Sequence, residues 1–272
     1  MSSSYQRPKI LLLGDSLTQT SLEGWGGGLA HRYQRRADVV VRGNSGYNTR
    51  WYLRYAQDTG VWNEPGDVRL VTIFFGANDA SLETENPHHF VPIPEYQENL
   101  KELVTLTKKH YGTSTNILLI TPPPVYHEQR LAFQKERYKE KATGVLERTL
   151  ENAGKYAKAC CAVAEEMKLP CLDLHTLMVK KGDIGRFFYD GLHFSKEGHD
   201  FVLLLLLEQI KSEFPAIYVT PDAFTGQENN SGSSCPGIAS SGPYHDKIDH
   251  TNWEKAFETE EEEPDTKRAK TE

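Results

Sequence analysis

Five short apolar runs punctuate the chain, at residues 10–13, 39–41, 70–75, 117–120 and 171–174. Runs this brief, and unbroken at 10–13, suit parallel strands covered on both faces, and each stops at a turn-forming or polar residue. Between them the apolar spacing changes from every residue to every third or fourth. Tyr96, Leu100, Leu103, Val104 and Tyr111 keep one helical face. A second long helix carries Leu146, Leu150, Ala153, Ala157, Cys160, Ala164 and Met167, with Glu147, Glu151, Lys155 and Lys158 on its expected solvated side. Shorter helices are predicted over 29–36 and from 49 to about 57. In 201–207 the apolar residues run all round the last helix, which predicts deep burial. Residues 24–28, 81–94 and 175–195 read as glycine-rich turn or loop, and the segment after Pro124 reads only as a charged stretch.

Strands alternating with helices predict an α/β fold with a doubly wound parallel sheet. Right-handed crossovers and the common order 2-1-3-4-5 seat strand two beside strand one, and strand one beside strand three. The loops that carry Ser16, Gly46 and Asn78 then become neighbours on one edge of the sheet.

Composition narrows the picture. The 272 residues are 38% hydrophobic, enough to supply a core, and one α/β domain over 1–218 is expected. The net charge of −7 is concentrated beyond Thr220, and the body before it balances at 26 acidic and 26 basic residues. A balanced body argues against a nucleic-acid surface. Residues 219–272, rich in Gly, Ser, Asn and Glu, are expected to form a disordered acidic tail. Within it, Lys267, Arg268 and Lys270 stand among too many acids to make a good nuclear import signal. Cys160, Cys161, Cys171 and Cys235 show no metal-site spacing and read as buried free thiols. The amino terminus lacks an apolar targeting core, and the leucine run at 203–207 is far too short to span a bilayer. A reducing compartment such as the cytoplasm is the default expectation.

The chemistry centres on Lys9-Ile10-Leu11-Leu12-Leu13-Gly14-Asp15-Ser16-Leu17. A strand that breaks at Gly14 into a helix projects Ser16 from its carboxyl end, where a serine serves as a nucleophile or only as a cap. Ester hydrolysis by serine also needs a base, a group that orients it, and NH donors for the oxyanion. Asp190-Gly191-Leu192-His193 supplies base and orienter three residues apart. The Ser16 and Gly46 backbone amides and the Asn78 side chain are the candidate donors. Asn44 is read as a loop-shaping residue and Asp15 as the group that holds the turn.

Gly14-Asp15-Ser16-Leu17, Asn44-Ser45-Gly46, Gly76-Ala77-Asn78-Asp79 and Asp190-Gly191-Leu192-His193 together resemble, in order, the four blocks of the SGNH (GDSL) hydrolase superfamily. Gly24-Trp25-Gly26 and Gly46-Tyr47-Asn48-Thr49-Arg50-Trp51 narrow the likeness to isoamyl acetate-hydrolysing esterases. The resemblance implies a three-layer α/β/α, flavodoxin-like fold and hydrolysis of small uncharged esters without metal or cofactor. It implies the triad Ser16, Asp190 and His193, and an oxyanion hole of Ser16, Gly46 and Asn78. The expected partner is a small-molecule ester, and no oligomeric state is readable.

Other readings compete. Gly43-Asn44-Ser45-Gly46-Tyr47 misses the G-x-S-x-G elbow at its last position. Asp173 and His175 mimic an acid–base pair at a strand end, His199 reads as structural, and His88-His89 as solvated. Trp25, Tyr47, Trp51 and residues 122–126 are candidate pocket walls. A lysophospholipase or thioesterase is the rival enzyme, and a non-catalytic flavodoxin-like binding module the rival from another class.

Overall fold

The computed structural model describes residues 7–220 together with 238, 249, 251, 252 and 255. The chain divides into two compact units, Met1–Ile238 and Ala239–Glu272. The first unit holds five parallel strands: β1 (Lys9–Gly14), β2 (Asp38–Gly43), β3 (Val68–Phe74), β4 (Asn116–Ile120) and β5 (Cys171–Leu172). Their order across the sheet is β2-β1-β3-β4-β5, the order expected from the pattern of runs.

Strand periodicity divides the interior into two cores. Ile10 and Leu12, Leu70 and Phe74, and Leu118 and Ile120 face one side, with helices α2 (Trp25–Arg32), α7 (Leu174–Lys180) and α8 (Lys196–Glu213). Leu11 and Leu13, Val71 and Ile73, and Ile117 and Leu119 face the other, against α3 (Thr49–Asp58), α4 (Ile93–Tyr111) and α6 (Leu150–Met167). Alternation by two along each strand is what feeds both layers at once. The result is the three-layer α/β/α architecture.

Register fixes where the loops emerge. Gly14 pairs with Gly43 on one side and with Phe74 on the other, while Ile120 pairs with Phe74 and Leu172. All the strands therefore end at one level. At that level β1 gives way at once to α1 (Ser16–Gln19), so close to β2 that a Cβ on Gly43 would lie 2.2 Å from the Gln19 backbone nitrogen. No side chain fits there.

Four expectations change. The glycines at 24–28 do not form a turn but open α2, because packing prevails over their low helix propensity. A Cβ at Gly28 would lie 2.3 Å from Leu203, and one at Gly27 2.2 Å from the Leu22 carbonyl oxygen. The charged stretch after Pro124 folds as α5 (His127–Tyr138), and α7 occupies part of the segment expected as loop. The last helix is not buried all round: Val202, Leu206 and Ile210 are buried, whereas Leu204 stays 52% exposed. A helix packed on one side of a sheet has only one face to hide, however apolar the others are.

Cys160 is buried, Cys161 and Cys171 are half-buried, all three are free thiols, and Cys235 lies outside the described residues. Among the described residues no helix is long and apolar enough to cross a membrane. Most of the expected acidic tail, including the basic residues at 267–270, also lies outside the described residues. Within the described part the first unit runs past Tyr218: Val219 is buried and Ile238 packs on the α8 side of the core.

Replacing Gly43 by alanine should destabilise the fold by about 1–3 kcal/mol, the usual cost of overpacking, because both sides of the clash are backbone. Urea unfolding of Gly43→Ala against the parent chain checks this, and an unchanged midpoint would contradict the close approach of α1 to β2.

Candidate active site

The site is assembled from the ends of β1, β2 and β3 and from the segment before α8. Asp15 accepts a hydrogen bond from the Leu17 backbone nitrogen at 2.9 Å and so caps α1, which leaves Ser16 as the first helical residue. Ser16 is almost buried, at 7% exposure, yet it opens onto the cavity described below. Asp15 holds the turn, as its position suggested. Burial pushes its carboxyl up to about 7, against the opposing pull of the Leu17 amide and His193.

His193 reaches this serine from the segment before α8. Its Nε2 lies 2.9 Å from Ser16 Oγ, and its Nδ1 lies 2.8 Å from Asp190 Oδ2. The other Asp190 oxygen accepts the backbone amides of Leu192 at 2.9 Å and His193 at 2.7 Å. Burial by itself would raise the Asp190 carboxyl, but its bonds from His193 and these amides outweigh that and hold it down at about 2. It is therefore a charged carboxylate at neutral pH. Gly191 makes the turn possible: its φ is +81°, and a Cβ there would lie 2.4 Å from the Tyr126 carbonyl oxygen.

Gly46 and Asn78 arrive from the ends of β2 and β3. Gly46 has a φ of +78°, and a Cβ on it would meet only His89 Nε2, at 3.8 Å. Its freedom serves backbone conformation rather than crowding. Asn78 Nδ2 donates to the Tyr47 carbonyl at 2.9 Å and lies 3.4 Å from Asp15 Oδ2, a long contact that leaves one N–H weakly held. The Asn44 backbone N–H donates to the Gly14 carbonyl at 2.9 Å and its carbonyl accepts the Tyr47 N–H at 3.1 Å, bonds of the main chain alone. The structure thus brings Ser16, Gly46, Asn78 and His193 onto one cavity of about 470 Å³, with Asp190 behind the imidazole.

The cavity walls are not the expected ones. Trp25 is fully buried in the core, Tyr47 and Trp51 border a separate hollow, and residues 122–126 do not line the cavity. The wall is built by α5 and the segment after it, with Leu131, Gln134, Tyr138 and Val145. His89 lines it as well, half-buried, with Nδ1 3.0 Å from Asn86 Oδ1. Burial first, then Arg148, lowers its pKa to about 4, so it is a neutral imidazole. This corrects the solvated reading of His89. The other histidines behave as expected. His199 meets the Trp25 amide at 3.5 Å, and Asp173 caps α7 away from the site while His175 borders a different hollow.

A larger correction concerns charge. Glu147 is not on the solvated side of α6: it precedes that helix, is buried, and pairs with both Arg130 and Arg148. Arg130 donates to Asp190 Oδ2 at 3.2 Å, and Arg148 donates to Asn78 Oδ1 and to the Ala77 carbonyl, at 2.9 and 2.8 Å. No local pattern marks these arginines: apart from Glu147 beside Arg148, their partners lie 17 to 71 residues away. Among the described residues no cluster suits a metal ion.

The sequence matches the GDSL-like Lipase/Acylhydrolase family over residues 12–201. The chain belongs to that family. It is accordingly a carboxylic ester hydrolase of the SGNH type. A GDSL esterase/lipase of Arabidopsis thaliana is 38% identical, covering 93% of this chain and 98% of its own. An isoamyl acetate-hydrolyzing esterase 1 homolog of Mus musculus is 42% identical, over 73% of this chain and 80% of its own. The crystal structure of a lipase/acylhydrolase from Enterococcus faecalis superposes with a TM-score of 0.57 at 25% identity, covering 76% of this GDSL hydrolase and 96% of that chain.

One buried carboxyl beside the site has a measurable signature. Asp79 accepts the Thr49 backbone amide at 2.9 Å and the Thr49 hydroxyl, which ties the β3 loop to the start of α3. Burial raises its pKa to about 6 despite those bonds, so between roughly pH 4 and 6 the native state holds a proton that the unfolded chain releases. Stability from this group is therefore present at low pH and lost as pH rises through 6. Asp79→Asn removes the titration, and the stability of the variant relative to the parent should rise by on the order of 2 kcal/mol from pH 4 to pH 7. Urea unfolding across that range checks it; a constant difference would contradict the raised pKa.

Proposed function

We propose that this hydrolase is a serine esterase of small, uncharged, acetate-type esters, with Ser16 as nucleophile, His193 as base and Asp190 as its orienting carboxylate. The observation that carries the reading is the contact of Ser16 Oγ with His193 Nε2 at 2.9 Å, continued to Asp190 at 2.8 Å, at the floor of a cavity. As Oγ attacks the ester carbonyl carbon, its proton passes to Nε2, and Asp190 stabilises the imidazolium that forms. The Ser16 and Gly46 amides and Asn78 Nδ2 receive the developing oxyanion. Collapse expels the alcohol, which takes the proton from His193. Water then gives a proton to His193 and attacks the acyl carbon; on collapse Ser16 Oγ leaves and takes that proton back from His193 as the acid is released. Side chains supply every proton transfer and the nucleophile, so the reading calls on no metal or cofactor.

The acetate preference is supported by the likeness to isoamyl acetate-hydrolyzing esterase homologs at 38–42% identity in mammals. The cytoplasm is supported by three free cysteines, of which Cys161 and Cys171 share a sulfur–sulfur hydrogen bond at 3.4 Å. Nothing in the balanced charge of the body calls for a nucleic-acid partner.

Ser16→Ala should abolish turnover of p-nitrophenyl acetate and labelling by a fluorophosphonate while leaving the circular dichroism spectrum unchanged; a folded, active variant would remove the nucleophile. Asn78→Ala should lower kcat by about 10²–10³, and a loss under tenfold would take Asn78 out of the oxyanion hole. A series of p-nitrophenyl esters should show kcat/KM falling from acetate and butyrate to dodecanoate. A rise along that series would favour a long-chain acylhydrolase instead.

A further inference from the structure

Glu147 is the meeting point of two buried guanidiniums, and those guanidiniums end on opposite halves of the site. Arg130 takes Glu147 Oε1 with one nitrogen and Asp190 Oδ2 with another. Arg148 takes the same Glu147 oxygen with Nη1 and Asn78 Oδ1 with Nη2 at 2.9 Å, while its Nε is held by the Ala77 carbonyl at 2.8 Å. The side chains of both arginines are at most 6% exposed. Burying two cations is expensive unless each is paired and bonded, and here the shared carboxylate and the two site residues do both.

The contact with Asn78 has a chemical consequence. A guanidinium only donates, so Asn78 must present its carbonyl oxygen to Arg148. Its amide nitrogen is thereby turned the other way, toward the Tyr47 carbonyl and the Asp15 carboxyl, the residue before Ser16. A flipped amide would set its NH₂ against the guanidinium and its oxygen against the Tyr47 carbonyl. Charge acts in the same direction. Whenever the Asp15 carboxyl beside Asn78 is ionised it puts negative potential where an oxyanion is to form, and the cation behind Asn78 opposes it.

We propose that Arg148 is a positioning residue of the oxyanion hole: anchored by Glu147, it holds the Asn78 amide with its N–H facing the reacting carbonyl. The inference rests on the serine-esterase reading above. Arg148 does not touch the ester; it works through Asn78, so its effect should disappear when Asn78 is absent. That dependence separates positioning from mere support of the fold.

The test is a double-mutant cycle on the full chain with p-nitrophenyl acetate. Arg148→Met should lower kcat by about tenfold or more with KM within about threefold, because the amide bonds the oxyanion rather than the ground-state carbonyl. In the Asn78→Ala background, Arg148→Met should cost less than about threefold. Full multiplication of the two losses, or a folded Arg148→Met with parental kcat, would overturn the proposal. Should Arg148→Met not fold, Arg148→Lys gives the same reading: it keeps the charge beside Glu147 but lacks the planar fork that spans Ala77, Glu147 and Asn78. Ser16→Ala run in parallel separates the failures. If it stays active the esterase reading itself falls, whereas an inert Ser16→Ala beside a fully active Arg148→Lys removes only the role of Arg148.

Discussion

Everything at the site depends on the level at which the parallel strands stop. Gly14 is hydrogen-bonded into register with Gly43 and Phe74, so the chain leaves the sheet from three adjacent strands at one height. Parallel pairing places every carboxyl end on the same edge, and residues distant in sequence become near neighbours there. Ser16, Gly46 and Asn78 are each two to four residues past such an end. A one-residue slip in β1 would exchange its two faces and carry Ser16 out of reach of His193.

The same edge accounts for the concentration of buried charge. Asp15, Asp79, Arg130, Glu147, Arg148 and Asp190 are all at least nine-tenths buried, and each answers to another member or to a backbone amide. Asp190 and Asp15 are opposite outcomes of one competition. Bonds from His193 and two amides keep the first ionised, whereas burial with one amide bond leaves the second close to neutrality. The number of donors decides which carboxyl keeps its proton.

Much of this was legible in the sequence. Strand runs, sheet order and the four blocks around Ser16, Gly46, Asn78 and His193 depend on short-range patterns, which survive in a string of letters. What escaped is set by contacts across the chain. The glycines of α2 look like a turn until Leu203 and His199 are seen pressed against them. Glu147 has the spacing of a solvated helical face, and only Arg130 and Arg148 make its burial affordable. The Leu203–Leu207 run overstates burial because composition does not reveal how many faces a helix must cover.

The cavity wall formed by α5 belongs to the crossover between β4 and α6, outside the sheet that aligns the reacting groups. Leu131, Gln134 and Tyr138 line the cavity from there without sharing a hydrogen bond with Ser16 or His193. Arg130 of the same helix nevertheless reaches Asp190 at 3.2 Å, so the wall is coupled to the reacting groups through that side chain. Exchanging Leu131 or Tyr138 would reshape the wall and leave the hydrogen bonds of Ser16, His193 and Asp190 in place, whereas exchanging Arg130 would not.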